Sequence, residues 1–371
     1  MQITTNTTGM EAGIAVAADK DARDHCVVVV KGTFQTDSQG HMTLGASQRP
    51  LVYVDEHYGE PDTTAIRYEC DFALEKRLTD VLVVGKAIAP RGKHVTELPV
   101  RLEVQGKAKD ILVVGERRWL RTLGSVHPCA PVPFTEMPLT FDRAFGGQDD
   151  SKGLANVAVE QSNPVGVGFN PYREGKKVEG MSLPNLEHPM QRLTSYRDRV
   201  DPVGFGCIGR NWKARVDYAG TYDQRWRDEV APFLPADFDS RYFQSAPADQ
   251  QFPMFEGGEV IRCVHMAARP VVEYRIPSLK VPVSFGFVGD EVERFGALDT
   301  VILEPHLSLA VLVWRASAPL GKKLHTLRSI AVGEQPHRTN ANPQAYRHGK
   351  PFFKGLSEAV RWLRQRREGS R

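Results

Sequence analysis

The chain has 371 residues, 41% of them apolar, and its 48 Lys and Arg against 45 Asp and Glu leave a net charge of +3. A chain of this size and composition can bury one large core or two, which excludes disorder as its default state. So small a charge excess makes no field that gathers nucleic acid or anionic lipid, and neither a nucleic acid nor a membrane is expected as a partner.

The opening stretch, Met1 to Asp21, lacks a basic segment. Its apolar run, Gly13 to Ala18, is too short for a signal peptide or a membrane span, so the chain is expected to be cytoplasmic. Strands are predicted at Cys26–Phe34, Thr64–Phe72 and Leu98–Val104, where β-branched or alternating residues sit between Gly, Pro and Asp. Asp80–Lys86 (DVLVVGK) is echoed at Asp110–Glu116 (DILVVGE), as similar strands of one sheet would be. Residues 1–121 therefore read as an N-terminal β domain. From 122 to 258 Pro and Gly recur between aromatic clusters, a texture of ordered loops packed on a scaffold. One helix is predicted there, Thr221–Val230, with Thr221 as cap, Gln224 three residues on and Pro232 as the stop. Residues 259–371 return to strands (EVIRCVHM, VVEYRIP, VPVSFGFV, DTVILEP, LSLAVLVWRAS), spaced as an antiparallel meander, and end in a predicted helix at Leu356–Arg366. The expected fold is mainly β: an antiparallel sandwich or barrel-like scaffold, a long Gly/Pro/aromatic-rich loop region and a C-terminal helix.

The cysteines, Cys26, Cys70, Cys129, Cys207 and Cys263, include no CxxC pair and read as reduced thiols. His127 with Cys129, and Cys263 with His265, could together supply four zinc ligands. Their spacing matches no zinc motif, so the expected metal count is none. Asn163–Phe169 (NPVGVGF) is glycine-rich, but no Gly-Lys-Ser/Thr or helix follows, and turn glycines are the better reading than a phosphate loop. In Phe141–Gly147 (FDRAFGG) a structural turn is expected, with Asp142 accepting backbone amides and Gly146 and Gly147 at positive φ. No GxSxG or HExxH occurs, and nothing ties Asp142, Glu187 and His188 into an acid/base pair. No catalytic residue and no cofactor are assigned, and the chain is read as a non-enzyme.

Aromatic residues and arginines crowd between Arg210 and Phe243. Such enrichment marks the energetic centres of protein interfaces, although cores claim aromatics too, here about half of them. Trp212, Arg215, Tyr222, Trp226, Arg241 and Phe243 are the candidate partner-binding residues.

The segments FDRAFGG, NPVGVGF, LPNLEHP, DPVGFGCIGRNWKAR, AGTYDQRW and LPADFDSRYFQSAPADQ, with YECDFALEKRLTDVLVVGKAIAP and GERRW upstream, resemble a family of effector adaptors encoded in bacterial type VI secretion loci. That family was long described only as a domain of unknown function, and the likeness spans roughly residues 20 to 315. Its motif loops fall on Asp142, Arg143, Gly146, Gly147, Asn163, Pro164, Gly166, Gly168, Asn185 and Glu187. The resemblance implies a cytoplasmic chaperone that holds the N-terminal region of a type VI effector and helps to mount it on the spike protein (VgrG). Some members carry pentapeptide repeats, which this chain lacks. The alternatives are a carbohydrate-active hydrolase, since aromatics beside carboxylates also bind sugars, and a structural component of the secretion apparatus.

Overall fold

The computed structural model describes residues 2–61, 63–171, 178–321, 326–334, 346–347 and 350–351. The chain divides into two compact units, Met1–Gly333 and Glu334–Arg371. In the second, Tyr346–Arg347 pairs antiparallel with Lys350–Pro351. The helix predicted at Leu356–Arg366 lies outside the described residues.

The first unit is mainly β. Its principal strands are β1 (Ile3–Asn6), β2 (Glu11–Ala18), β3 (Asp24–Thr36), β4 (Met42–Leu44), β5 (Thr79–Val83), β6 (Glu97–Val104), β7 (Lys107–Val114) and β8 (Leu186–Glu187). They continue with β9 (Gln251–Phe252), β10 (Val260–Val264), β11 (Val271–Arg275), β12 (Pro282–Phe287), β13 (Asp290–Phe295), β14 (Ala297–Glu304), β15 (Leu309–Pro319) and β16 (Leu327–Val332). The largest sheet has the order β9-β5-β14-β15-β3-β2, with β4 added on β3; a second runs β8-β7-β6-β10-β11, and a third β1-β16-β12-β13. Pairing is largely antiparallel, but β5 runs parallel to β14 and β1 parallel to β16, so two of these sheets are mixed.

The valine run of β3 explains why it lies inside the sheet, with a neighbour on each side. Cys26, Val28 and Val30 enter the main core while Val27 and Val29 enter a second apolar cluster on the opposite face. A strand covered on both sides reads as continuous hydrophobicity rather than alternation. Side chains from all three sheets, among them Val28, Ile111, Tyr274 and Phe285, share the main core.

Four expectations are corrected. The echoed segments do not share a sheet, because DVLVV forms β5 of the largest and DILVV forms β7 of the second. Nor do the strands after residue 259 form one meander: β10–β11, β12–β13 and β14–β15 are successive hairpins, each belonging to a different sheet. Of the strand predicted at Thr64–Phe72, Ile66–Tyr68 forms. The predicted helix is shorter, Gln224–Glu229, and Asp223 rather than Thr221 caps it, accepting a hydrogen bond from the Trp226 amide at 2.8 Å. Thr221 is held elsewhere, donating its amide and hydroxyl to Asp237 at 3.0 and 2.8 Å.

Candidate functional site

The motif loops fasten to one another through buried polar groups. Asn163 is fully buried and its Nδ2 donates to the carbonyls of Phe141 and Phe145 at 2.9 and 3.0 Å. Gly146 and Gly147 take φ of 150° and 109°, and a Cβ at Gly146 would lie 2.1 Å from the Asn163 carbonyl. Gly166 is closed in by Asn163 Nδ2, Gly168 has φ 91°, and the intervening Pro164 is half-buried. Asp142 Oδ1 accepts the Ala65 amide at 3.1 Å. Arg143 donates to Asn185 Oδ1 at 2.9 Å and to Glu116 at 2.7 Å, while Asn185 Nδ2 donates to the Val114 carbonyl. Glu187 is buried and paired with Arg117 at 2.9 Å and Arg192 at 3.3 Å. The amides of Gly147, Gly166, Val167 and Phe169 are all used within these loops. Those four amides are therefore not free to cradle a phosphate.

A buried ion network, which sequence reasoning missed, ties this layer to the largest sheet. Glu69 meets Arg215 at 2.6 Å, Arg210 at 3.1 Å and Lys76 at 3.9 Å; Lys76 meets Asp80 at 2.7 Å. Asp80 also accepts from Gln244 Nε2 and the Ser245 amide. Nearby, Arg315 pairs with Asp299 and donates to the Asp71 carbonyl at 2.6 Å, and Lys31 meets Asp71 at 2.8 Å. Burial alone would raise the Glu69 carboxyl, but Arg215, Lys76 and Arg210 outweigh it and hold the pKa below its usual range. Asp299 goes the other way, raised by burial against Arg315 and Lys76. The only trace in sequence is the charge-dense stretch Glu69, Asp71, Lys76, Asp80, which reads equally well as a solvated face.

The aromatic segment divides between interior and surface. Trp212 is buried, its ring edge-on to Phe141 at 5.2 Å, and Arg215 is buried on Glu69 and the carbonyls of Ile208 and Tyr242. Both belong to the scaffold and are out of a partner's reach. Tyr222 is 51% exposed and Phe233 43%. Trp226 is half-buried, packed edge to face on Tyr222 at 4.6 Å, with its Nε1 donating to the Phe233 carbonyl at 2.9 Å. Arg241 is exposed, stacked over Tyr218 at 4.2 Å and paired with Asp239 at 2.7 Å. That hydrogen-bonded pairing lowers the Asp239 carboxyl to about 2. Phe243 is half-buried against Phe238 at 5.4 Å. Two clefts flank the segment: one of about 370 Å³ beside Tyr218 and Arg241, and one of about 390 Å³ beside Phe238 and Phe243.

The four residues weighed as zinc ligands do not cluster. Cys263 is buried between Leu102 and Val272, while Cys129 accepts the Arg118 amide at 3.2 Å. His265 Nδ1 lies 2.8 Å from the Pro99 carbonyl, and His127 is exposed in the ribbon Ser125–Pro128. Among the described residues no three His, Cys, Asp or Glu side chains are grouped to hold a metal, and no helix is long and apolar enough to cross a membrane.

Fold and site together define a mainly β scaffold whose loop layer is locked by buried hydrogen bonds and ion pairs and presents an aromatic and arginine-bearing segment outward. The chain belongs to the family described as "Uncharacterized protein conserved in bacteria (DUF2169)", which matches residues 21–315. No curated protein and no solved structure matches it.

Proposed function

We propose that this chain is a cytoplasmic, non-catalytic adaptor that binds the N-terminal region of a type VI secretion effector and delivers it to the VgrG spike protein. The observation that carries this reading is the surface cluster in which exposed Tyr222 and Phe233 flank half-buried Trp226, mounted on a backbone that buried bonds already hold. Aromatic and arginine side chains presented from a rigid support supply contact area without a large ordering cost. The charged members of the motif loops support it too, since Asp142, Arg143 and Glu187 are engaged in structural bonds. The likeness to effector adaptors directs the choice of partner.

The test is deletion of the gene in the native bacterium. Export of one cognate effector stops while the tube protein is still secreted; loss of tube secretion as well would transfer the role to a structural component. A pull-down from the same strain identifies the effector.

A further inference from the structure

The strand β2, EAGIAVAA, forms one margin of the largest sheet and, among the described residues, pairs on one side only, with β3. The hairpin joining them fixes which of its backbone groups face outward. The Asp19 amide bonds the Arg23 carbonyl, and the register pairs Ala17 with His25, Ala15 with Val27 and Gly13 with Val29. Hydrogen-bonded pairs alternate along an antiparallel ladder, so the odd residues bond β3 and the even ones face away. The other side of β3 agrees, since Asp24 and Thr36, both even, bond toward β15 through Leu320 and Ser308. The amides and carbonyls of Ala12, Ile14, Val16 and Ala18 therefore point outward, and among the described residues none of them is engaged.

Margins of this kind are usually blunted by charge, proline or a bulge. β13, the margin of the third sheet, follows that practice with Asp290, Glu291, Glu293 and Arg294. β11, at the margin of the second, is met by His41 bridging to Arg275. From Ala12 to Ala18 the margin carries no charge and no proline, and Val16 is 49% exposed. On the face opposite Val16, the exposed Tyr53 stacks on Phe72 at 5.0 Å and extends an apolar wall beside the strand.

We infer that β2 is a strand-addition site, which receives an extended, apolar segment of a partner protein carrying basic residues at its ends. The ends of the site set that charge: Glu11 stands at one, and at the other the turn carries Asp19, Asp21 and Asp24 against Lys20 and Arg23. A second copy of this chain is a poor occupant. Antiparallel self-pairing about Ala15 would set Glu11 of each copy opposite Asp19 of the other, and like charges directly opposed destabilise a ladder. The inference stands on backbone geometry and does not depend on the adaptor reading.

The probe is a synthetic decapeptide with lysine at each end and valine and threonine alternating between, added to the full chain. Peptide binding is read by fluorescence anisotropy and amide protection by hydrogen exchange. Saturating peptide should slow exchange at least tenfold at Ile14, Val16 and Ala18, leaving the already bonded Ala15 and Ala17 unchanged. A peptide N-methylated at alternate residues, or ended with glutamate, should bind at least tenfold more weakly. Val16→Pro removes an outward amide while sparing the β3 ladder, and should lose binding with little change in melting temperature; if it unfolds, the N-methylated peptide decides alone. Absence of protection at saturation, or equal binding of the methylated peptide, overturns the site. Protection that appears without peptide, together with a concentration-dependent dimer, overturns the choice of partner in favour of self-pairing.

Discussion

Trp212 and Trp226 lie fourteen positions apart in one segment, and truncating each to alanine separates scaffold from surface. Trp212 is 3% exposed, wedged against Phe141 and over Gly209, where a Cβ would come within 2.4 Å of its Nε1. Its removal leaves a cavity that close neighbours cannot collapse into, and should cost about 3–5 kcal/mol, which lowers the melting temperature by roughly 4–7 °C. Trp226 loses less on truncation: one edge-to-face contact with Tyr222 and one hydrogen bond to the Phe233 carbonyl. Those are worth about 1 kcal/mol each. On the proposed adaptor reading, in which it anchors the contact with an effector, its loss should cost about 2 kcal/mol or more of binding, a weakening on the order of thirtyfold. Each variant is measured by thermal unfolding of the free protein and by calorimetric affinity for the effector's N-terminal segment. The reasoning fails if Trp226→Ala melts as early as Trp212→Ala, or if it binds its effector with wild-type affinity.

Gly146→Ala should destabilise by more than the roughly 1–3 kcal/mol of backbone strain alone, because its Cβ also strikes the Asn163 carbonyl. Gly106→Ala, with φ 82° and open space around it, isolates the strain, and equal melting temperatures for the two variants would refute the close approach. Glu69 carries a pH signature: its pKa in the fold lies below its ordinary 4.5, so its contribution is complete above that value and lost as pH falls through the lowered pKa. Glu69→Gln should cost about 3–5 kcal/mol at neutral pH by stranding Arg215, and should flatten the decline in stability below pH 4.5; an unchanged acid profile in denaturant titrations would remove Glu69 from the network. Protein purified without chelator should carry no stoichiometric zinc, and elemental analysis finding about one per chain would move Cys129 or Cys263 into a structural site.

The strands were legible because each carries its own signal. The valines of Cys26–Val30 and the apolar run Leu309–Trp314 are buried on both faces and could hardly be anything else. Their assembly was not legible, since DVLVV and DILVV are nearly identical locally yet lie in different sheets, and what separates them is the tertiary partner: β14 for one, β6 for the other. The turn chemistry of FDRAFGG was read correctly from composition, because a paired glycine after Asp-Arg has few other uses. In the aromatic segment residue type could not settle burial. Trp212 and Trp226 are the same residue, and only the packing of Phe141 over the first decides which is interior. The ion network was invisible for a similar reason: Glu69 and Arg215 are 146 positions apart and meet only when the loop layer closes on the sheet.

That closure explains why a surface segment is supported by polar groups instead of by apolar contact alone. A docking face is useful only if its backbone is already fixed, since each side chain ordered on binding subtracts about 0.5–1.5 kcal/mol from affinity. Apolar packing fixes distance but permits sliding, whereas a satisfied buried hydrogen bond fixes direction. Gln244 shows how this works: its Oε1 accepts the amides of Arg77 and Leu78, and its Nε2 donates to Asp80, so one side chain fixes Ser240–Phe243 against the start of β5. Gln250 repeats the device six residues later, donating to the carbonyls of Val81 and Phe205 while the Val83 amide bonds Phe205 from the sheet. Arg215 completes it from the opposite flank, spanning Glu69, Ile208 and Tyr242. With its base bonded at these points, the segment from Tyr218 to Phe243 can leave Tyr222 and Phe233 facing solvent, with Trp226 half-buried against Tyr222, without the collapse that exposed aromatics on a loose loop would undergo.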